Sequence, residues 1–393
     1  MRPPFSPLVL IYLAAFVNIV SFTMIFPLLP AYAQDFQASN ITIGILVSSF
    51  ALAQFLTSPL WGRISDKFGR KPIIAIGLLG LAGSFLLFGL AWNLTLLFLG
   101  RILQGVFSAA SLPAARAFIA DITTKEERTR AMGHLGAALA LGIIIGPAIG
   151  GLLAQYGIAM PFFAAAAVAL LNLLFVLIFL PESLKEKMAE PINLLRNLTL
   201  SFQRVWTGMG SALAPLFLLA FVWSFSLSNN NVVVPLLGAE KFALNTREIG
   251  ILFTVMGVGW AAAQLLLLSP LISKIGERRT IMAGLLFMAL GFALMPFLPP
   301  HFLFLHAAIL IAGIGSAVSR PTIMALISKE TQEQQGITMG VATSYEALGR
   351  LVGPLIGGYL FSLSFASPFL FSGAVAAVII AFVFAKTPFL SKA

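Results

Sequence analysis

At 393 residues, 59% hydrophobic and 10% charged, the chain carries less than half the charge of a soluble globular protein, roughly 25%. A core of that size would need a polar shell that is missing, which excludes a soluble enzyme and points to an integral membrane protein. With no cysteine, disulfides, thiolate metal sites and cysteine nucleophiles are excluded too; the net charge of +10 acquires meaning only from where it sits.

A membrane-crossing helix needs about 20 mostly apolar residues. Twelve such stretches follow in order, over 8–32, 41–61, 73–92, 95–118, 133–154, 160–180, 211–236, 248–270, 281–299, 302–326, 338–362 and 366–386. Barrel strands give an alternating signal in pieces of about ten residues, so these continuous runs predict an all-α membrane protein. The first stretch follows Arg2 without a small-residue cleavage site and is expected to be a retained helix.

Charge supplies the orientation. With a cytoplasmic N-terminus, eighteen lysines and arginines from Arg2 to Lys392 fall in inside segments, against Lys241 and Arg247 outside. The positive-inside rule therefore predicts both termini in the cytoplasm. The basic charge is spread over one membrane face, so no nucleic-acid partner is expected. The longest polar interruption, 181–210, alternates Ile192, Leu194, Leu195, Leu198 and Phe202 with Asn193, Arg196, Gln203 and Arg204. It predicts an amphipathic cytoplasmic linker between a six-helix half at 1–180 and another at 211–393.

The halves repeat. A shift of about 208 residues brings Pro27-Leu28-Leu29 onto Pro235-Leu236-Leu237 and Gly105, Ser108, Ser111 and Pro113 onto Gly313, Ser316, Ser319 and Pro321. One residue later, Gly142, Gly146, Pro147, Gly150 and Gly151 meet Gly349, Gly353, Pro354, Gly357 and Gly358. Matches at glycine, proline and serine are informative because apolar matches between membrane helices arise cheaply. A parallel duplication predicts two pseudo-symmetric halves with a substrate site between them near the bilayer midplane.

Three motifs lie within this frame. The loop after the second span holds Gly62, Asp66, Gly69, Arg70 and Lys71; the fourth span holds Arg101, Gln104 and Gly105; the fifth holds Gly142, Gly146, Pro147, Gly150 and Gly151. They resemble, in turn, the G-x-x-x-D-x-x-G-R-K, R-x-x-Q-G and G-x-x-x-G-P-x-x-G-G signatures of the major facilitator superfamily. The last is the antiporter motif of its twelve-helix drug:proton antiporters, which include multidrug and tetracycline exporters. The resemblance implies the major facilitator fold, proton-coupled efflux by alternating access, and a gate in which Arg70 lies near Asp121 while Asp66 faces the eleventh helix. The second copy of the first motif, Ser273 to Arg278, has lost its aspartate. The first helix offers Asn18, Ser21 and Thr23 where several multidrug members carry an acid.

Polar groups inside spans are functional candidates. Glu346 is the one acid well inside a predicted helix, with Arg350 at i+4, close enough to pair; the two are read either as a proton-coupling site or as a static ion pair. Family resemblance makes helices one, four, seven and ten the cavity lining. They offer Asn18, Ser21 and Phe22, then Gln104 and Ser108, then Trp223, Asn229 and Asn230, then His306, Ser316 and Ser319. The three histidines have no metal-ligand spacing, and no catalytic dyad or nucleotide loop is present, so neither enzyme activity, cofactor nor metal is expected. The leading reading is a monomeric, proton-driven exporter of lipophilic small molecules in the cell (inner or plasma) membrane. An exporter or flippase of a lipid-linked or metabolic compound, and a non-transporting sensor, are the alternatives.

Overall fold

A computed structural model describes residues 6–25, 27–184, 208–331 and 335–386. The linker residues 185–207, and with them the expected amphipathic helix, lie outside the described residues.

The described residues form thirteen α-helices and no strand. They are α1 (Pro7–Ile25), α2 (Leu29–Asp35), α3 (Asn40–Phe68), α4 (Arg70–Gly89), α5 (Leu94–Ile122), α6 (Lys125–Leu153), α7 (Met160–Phe179), α8 (Ala214–Phe242), α9 (Thr246–Leu266), α10 (Leu268–Leu294), α11 (Phe302–Glu330), α12 (Gln335–Leu363) and α13 (Ser367–Lys386). Apart from the seven-residue α2, each corresponds to one predicted span. Ten are long and apolar enough to cross a membrane by length and composition alone; α12, which carries Glu346 and Arg350, and α13 complete the twelve.

Side-chain caps start α5 and α6. The Asn93 side chain accepts from Leu96 N at 3.0 Å at the start of α5, and Thr124 and Glu127 form a capping box at the start of α6. Prolines set the breaks that the hydropathy runs conceal. The first stretch, expected as one helix over 8–32, divides into α1 and α2 at Pro27, which has no N–H to donate. Pro270 likewise leaves the Leu266 carbonyl without its donor, and α9 ends there, four residues before the expected boundary at 270.

Two glycines make the reversals of the repeat. Gly69, between α3 and α4, has φ +114°, and Gly276, inside α10, has φ +79°. Both lie where a side chain is strained, and they are equivalent positions in the two sequence copies.

The chain divides into two compact units. The first comprises Met1–Gln37, Ser49–Thr199 and Thr246–Thr254, the second Ala38–Ser48, Leu200–Asn245 and Val255–Ala393. In the first unit α6 packs on α1 along its glycines. A Cβ at Gly142 would strike Ile19, one at Gly146 would strike Thr23, and one at Gly150 would fall on the Met24 carbonyl. Thr23 Oγ1 donates to the Gly142 carbonyl at 2.9 Å across the same seam. In the second unit α12 repeats this packing on α8, with Gly349 on Phe221, Gly353 on Phe225 and Gly357 on Asn229. The strip is thus, in both copies, what lets two backbones approach.

Candidate functional site

The first unit holds two polar centres. At the start of α4, Arg70 is 8% exposed and binds two acids. Its Nε lies 3.0 Å from Asp121 Oδ2 at the end of α5, and its Nη1 lies 2.5 Å from Asp66 Oδ1 and 3.1 Å from Ser65 Oγ. The expected Arg70–Asp121 proximity is present. Two partners were missed in the sequence. Glu182 accepts from Arg70 N at 2.9 Å and Lys71 N at 3.2 Å, so its carboxylate caps α4, and Ser183 Oγ donates to Asp121 Oδ2 at 3.0 Å. Lys71 Nζ donates to the Leu177 carbonyl at 2.8 Å. Gly69 belongs to this cluster, since a side chain there would meet the Glu182 carboxylate. Gly62 does not: nothing lies within 4 Å of where its Cβ would be.

The second centre is Arg101 on α5, 2% exposed. Its Nη1 donates to Gln104 Oε1 at 2.6 Å, and its guanidinium lies 4.6 Å from the centre of the Phe50 ring, an aromatic face that attracts a cation. Phe22 packs on Phe50 with ring centres 5.2 Å apart. Arg101 Nε and Gln104 Nε2 are buried and have no partner among the described residues. Gly105 lets α5 approach α3 at Phe50 and Ala53. Ser108 accepts from Gln54 Nε2 at 3.1 Å and donates to the Gly105 carbonyl; Gln54 was not among the site residues expected from the sequence. Ser21 donates to Val17 O at 3.0 Å, within its own helix, and Asn18 is half-buried on α1. Phe22, Gln104 and Ser108 thus share one neighbourhood around Phe50 and α5, while Ser21 is occupied by its own backbone. Proline at 147 lies in the interior of α6, and Gly151, next along the strip, meets Gly250, which accounts for Thr246–Thr254 belonging to this unit. Outside the spans, desolvation raises the carboxyl of the exposed Asp35 above its ordinary value.

The second unit holds an ion pair at mid-helix. Glu346, 2% exposed at the middle of α12, is gripped by Arg320 of α11: Nε lies 2.7 Å from Oε1 and Nη2 3.1 Å from Oε2. This is the forked geometry that guanidinium and carboxylate favour. Arg350 Nη1 lies 4.0 Å from Oε2, beyond hydrogen-bond reach. The i+4 pairing expected from the sequence is therefore the weaker contact. The Arg320 guanidinium also lies 5.4 Å from the Trp223 ring centre, and Trp223 Nε1 donates to Ser316 Oγ at 3.0 Å. A chain thus runs Ser316, Trp223, Arg320, Glu346.

The two neighbouring asparagines of α8 differ. Asn229 Nδ2 donates to Ser372 Oγ at 2.7 Å and Pro368 O at 3.2 Å, fastening α8 to α13. Asn230 Nδ2 donates to Ser226 O at 2.7 Å within its helix, leaving Asn230 Oδ1 and Ser226 Oγ buried without partners among the described residues. His306 Nδ1 is 2.7 Å from the Phe302 carbonyl, also within its helix.

These charges depart from the repeat. On the registers given above, Arg320 corresponds to Leu112, Glu346 to Leu139 and Arg350 to Ile143. The duplicated glycines and prolines build both halves, whereas the Arg320–Glu346 pair exists in one.

A sequence profile described as Major Facilitator Superfamily matches residues 11–223 and 216–393. Multidrug resistance protein 2 of Bacillus subtilis (strain 168) is 35% identical over 367 residues, 92% of this chain and 90% of that protein. Tetracycline resistance protein, class C, of Escherichia coli is 30% identical over 353 residues, 88% of each. Among solved structures, a POT family transporter in complex with 5-aminolevulinic acid aligns over 98% of this chain and 96% of its own with a TM-score of 0.83. At 16% identity that likeness concerns the fold alone.

Proposed function

The chain belongs to the Major Facilitator Superfamily, a family of multi-pass membrane transporters for small molecules, and from that premise we propose that it is a proton-driven exporter of lipophilic compounds. It works by alternating access as a monomer in the cell membrane, with both termini cytoplasmic. The names of the relatives, multidrug and tetracycline resistance proteins, support export. The excess of eighteen basic residues over two supports the orientation.

The observation that carries proton coupling is the Arg320–Glu346 pair at the middle of a spanning helix. Ionised, Glu346 holds Arg320 by two charge-assisted bonds. Protonated, it loses the charge that makes the fork strong, and Arg320 can withdraw toward the Trp223 face. One proton thereby alters contacts among α8, α11 and α12 together. In the first unit the Asp66–Arg70–Asp121 cluster, with Glu182, acts as the gating element. Within the first unit Phe22, Gln104 and Ser108, and within the second Trp223 and Asn230, offer substrate contacts, the aromatic ones with adaptable apolar surface.

Reconstitution tests the reading. Proteoliposomes loaded with ethidium should lose it faster when a pH gradient is imposed across the bilayer, and a proton ionophore should remove the acceleration. Efflux indifferent to both would contradict proton-driven export.

A further inference from the structure

We propose that Arg350, together with Arg320, receives a carboxylate or equivalent anionic group of the transported molecule, so that the substrates include acids and zwitterions as well as lipophilic cations. This rests on the reading of the chain as an exporter, and the test below separates the two.

Arg320, Arg350 and Glu346 sum to one net positive charge, and Arg320 alone occupies both oxygens of the carboxylate. Arg350 is left 4.0 Å away, and among the described residues no acceptor lies within hydrogen-bond reach of its guanidinium. It sits at the midpoint of α12 with 39% of its side chain exposed. An arginine at mid-span is costly against lipid, so it faces a wet or ligand-filled space. Its planar fork of donors matches a carboxylate in two bonds at once. The excess positive charge there holds an anionic group more strongly than a neutral one.

A second observation extends the ligand's chemistry. Trp223, Ser226 and Asn230 fall at helical spacing on α8, and Trp223 is in contact with the Arg320 guanidinium. Asn230 Oδ1 and Ser226 Oγ on that face are buried and unpartnered among the described residues. Both accept hydrogen bonds, so the second unit offers donors for an anionic group on α11 and α12, and acceptors for an amine on α8, beside an indole for the apolar body. That set fits an amphiphilic acid or zwitterion.

Rhodamine B carries a free carboxylate, and its ethyl ester has the same cationic ring system without it. Binding of each to purified protein in nanodiscs, followed by fluorescence anisotropy, gives an acid-to-ester affinity ratio. Arg350→Gln should lower this ratio about tenfold, the loss of one charge-assisted pair, and Arg350→Lys should restore part of it. An unchanged ratio in Arg350→Gln, or a wild-type protein that binds neither dye, would overturn the proposal. If Arg350→Gln does not fold, competition on the wild-type protein decides instead. Naphthoate should displace rhodamine B and naphthamide should not; equal displacement, or none by naphthoate, overturns it. Acid-selective binding without efflux from proteoliposomes would retire the exporter reading and leave this one standing, while efflux with an unchanged ratio would do the reverse.

Discussion

Neighbouring residues of identical chemistry do different work on α8. Asn229 spends its amide on Ser372 and Pro368, so Asn229→Ala should cost about 1–3 kcal/mol through the buried groups it leaves unpaired, read as a fall in Tm of the purified protein. Asn230→Ala removes only a bond within its own helix, and should leave Tm within a degree or two while weakening ethidium binding. The opposite order of effects would reverse these assignments. Asp35 gives a pH test. Its carboxyl is raised by desolvation at an exposed position, so its protonated form favours the folded state by a small, solvent-screened amount. That contribution is present below the unfolded pKa and is lost as pH rises through the folded one. Asp35→Asn should therefore match the wild-type Tm at low pH and exceed it at neutral pH; a constant difference would remove Asp35 as the cause. Sequence reading found Glu346 and chose Arg350 for it, since i+4 is the only pairing visible along a helix. The stronger partner, Arg320, lies 26 residues upstream on another helix, where only the packing of α11 on α12 brings it. Arg320→Gln should cost about 2 kcal/mol, less than stranding a fully isolated charge because Arg350 can move in, and adding Glu346→Gln should recover most of that loss. A double variant no more stable than Arg320→Gln would show that the pair is not what holds Arg320.

The helices themselves were legible, because a run of 20 apolar residues has few other outcomes in this composition. What hydropathy cannot show is where a run breaks without becoming polar, as at Pro27 and Pro270. The glycine strip was legible as a motif, and its use is packing in both copies: α6 on α1 and α12 on α8. Gly150→Val should prevent accumulation of folded protein, since its side chain would occupy the place of the Met24 carbonyl. The two motif glycines at the end of α3 should part company. Gly69→Ala forces a side chain onto φ +114° and against Glu182, costing about 1–3 kcal/mol. Gly62→Ala meets open space within helix α3 and should raise stability by up to about 1 kcal/mol. Thermal melts of the two variants check the contrast; equal shifts would mean that Gly62 is held by contacts in the same way.

At the scale of the molecule, duplication and divergence mark two kinds of residue. Glycines and prolines recur in both halves because they build the scaffold, and their repetition made the fold readable. Arg320, Glu346 and Arg350 stand opposite Leu112, Leu139 and Ile143, so the centre assigned to the proton lies in the part that diverged, as does the Arg101–Gln104 centre, which stands opposite Ile309 and Ala312. The Arg320–Glu346 centre was only half legible, since a charge inside a span advertises itself and its partner on another helix does not. The most direct test of the account is Glu346→Gln in proteoliposomes, with ethidium efflux and internal pH followed together across an imposed gradient. The account predicts that ethidium still binds and still leaks down its own gradient, while acceleration by the pH gradient and the matching proton influx both disappear. Proton influx and gradient-driven efflux at wild-type rates in that variant would contradict it.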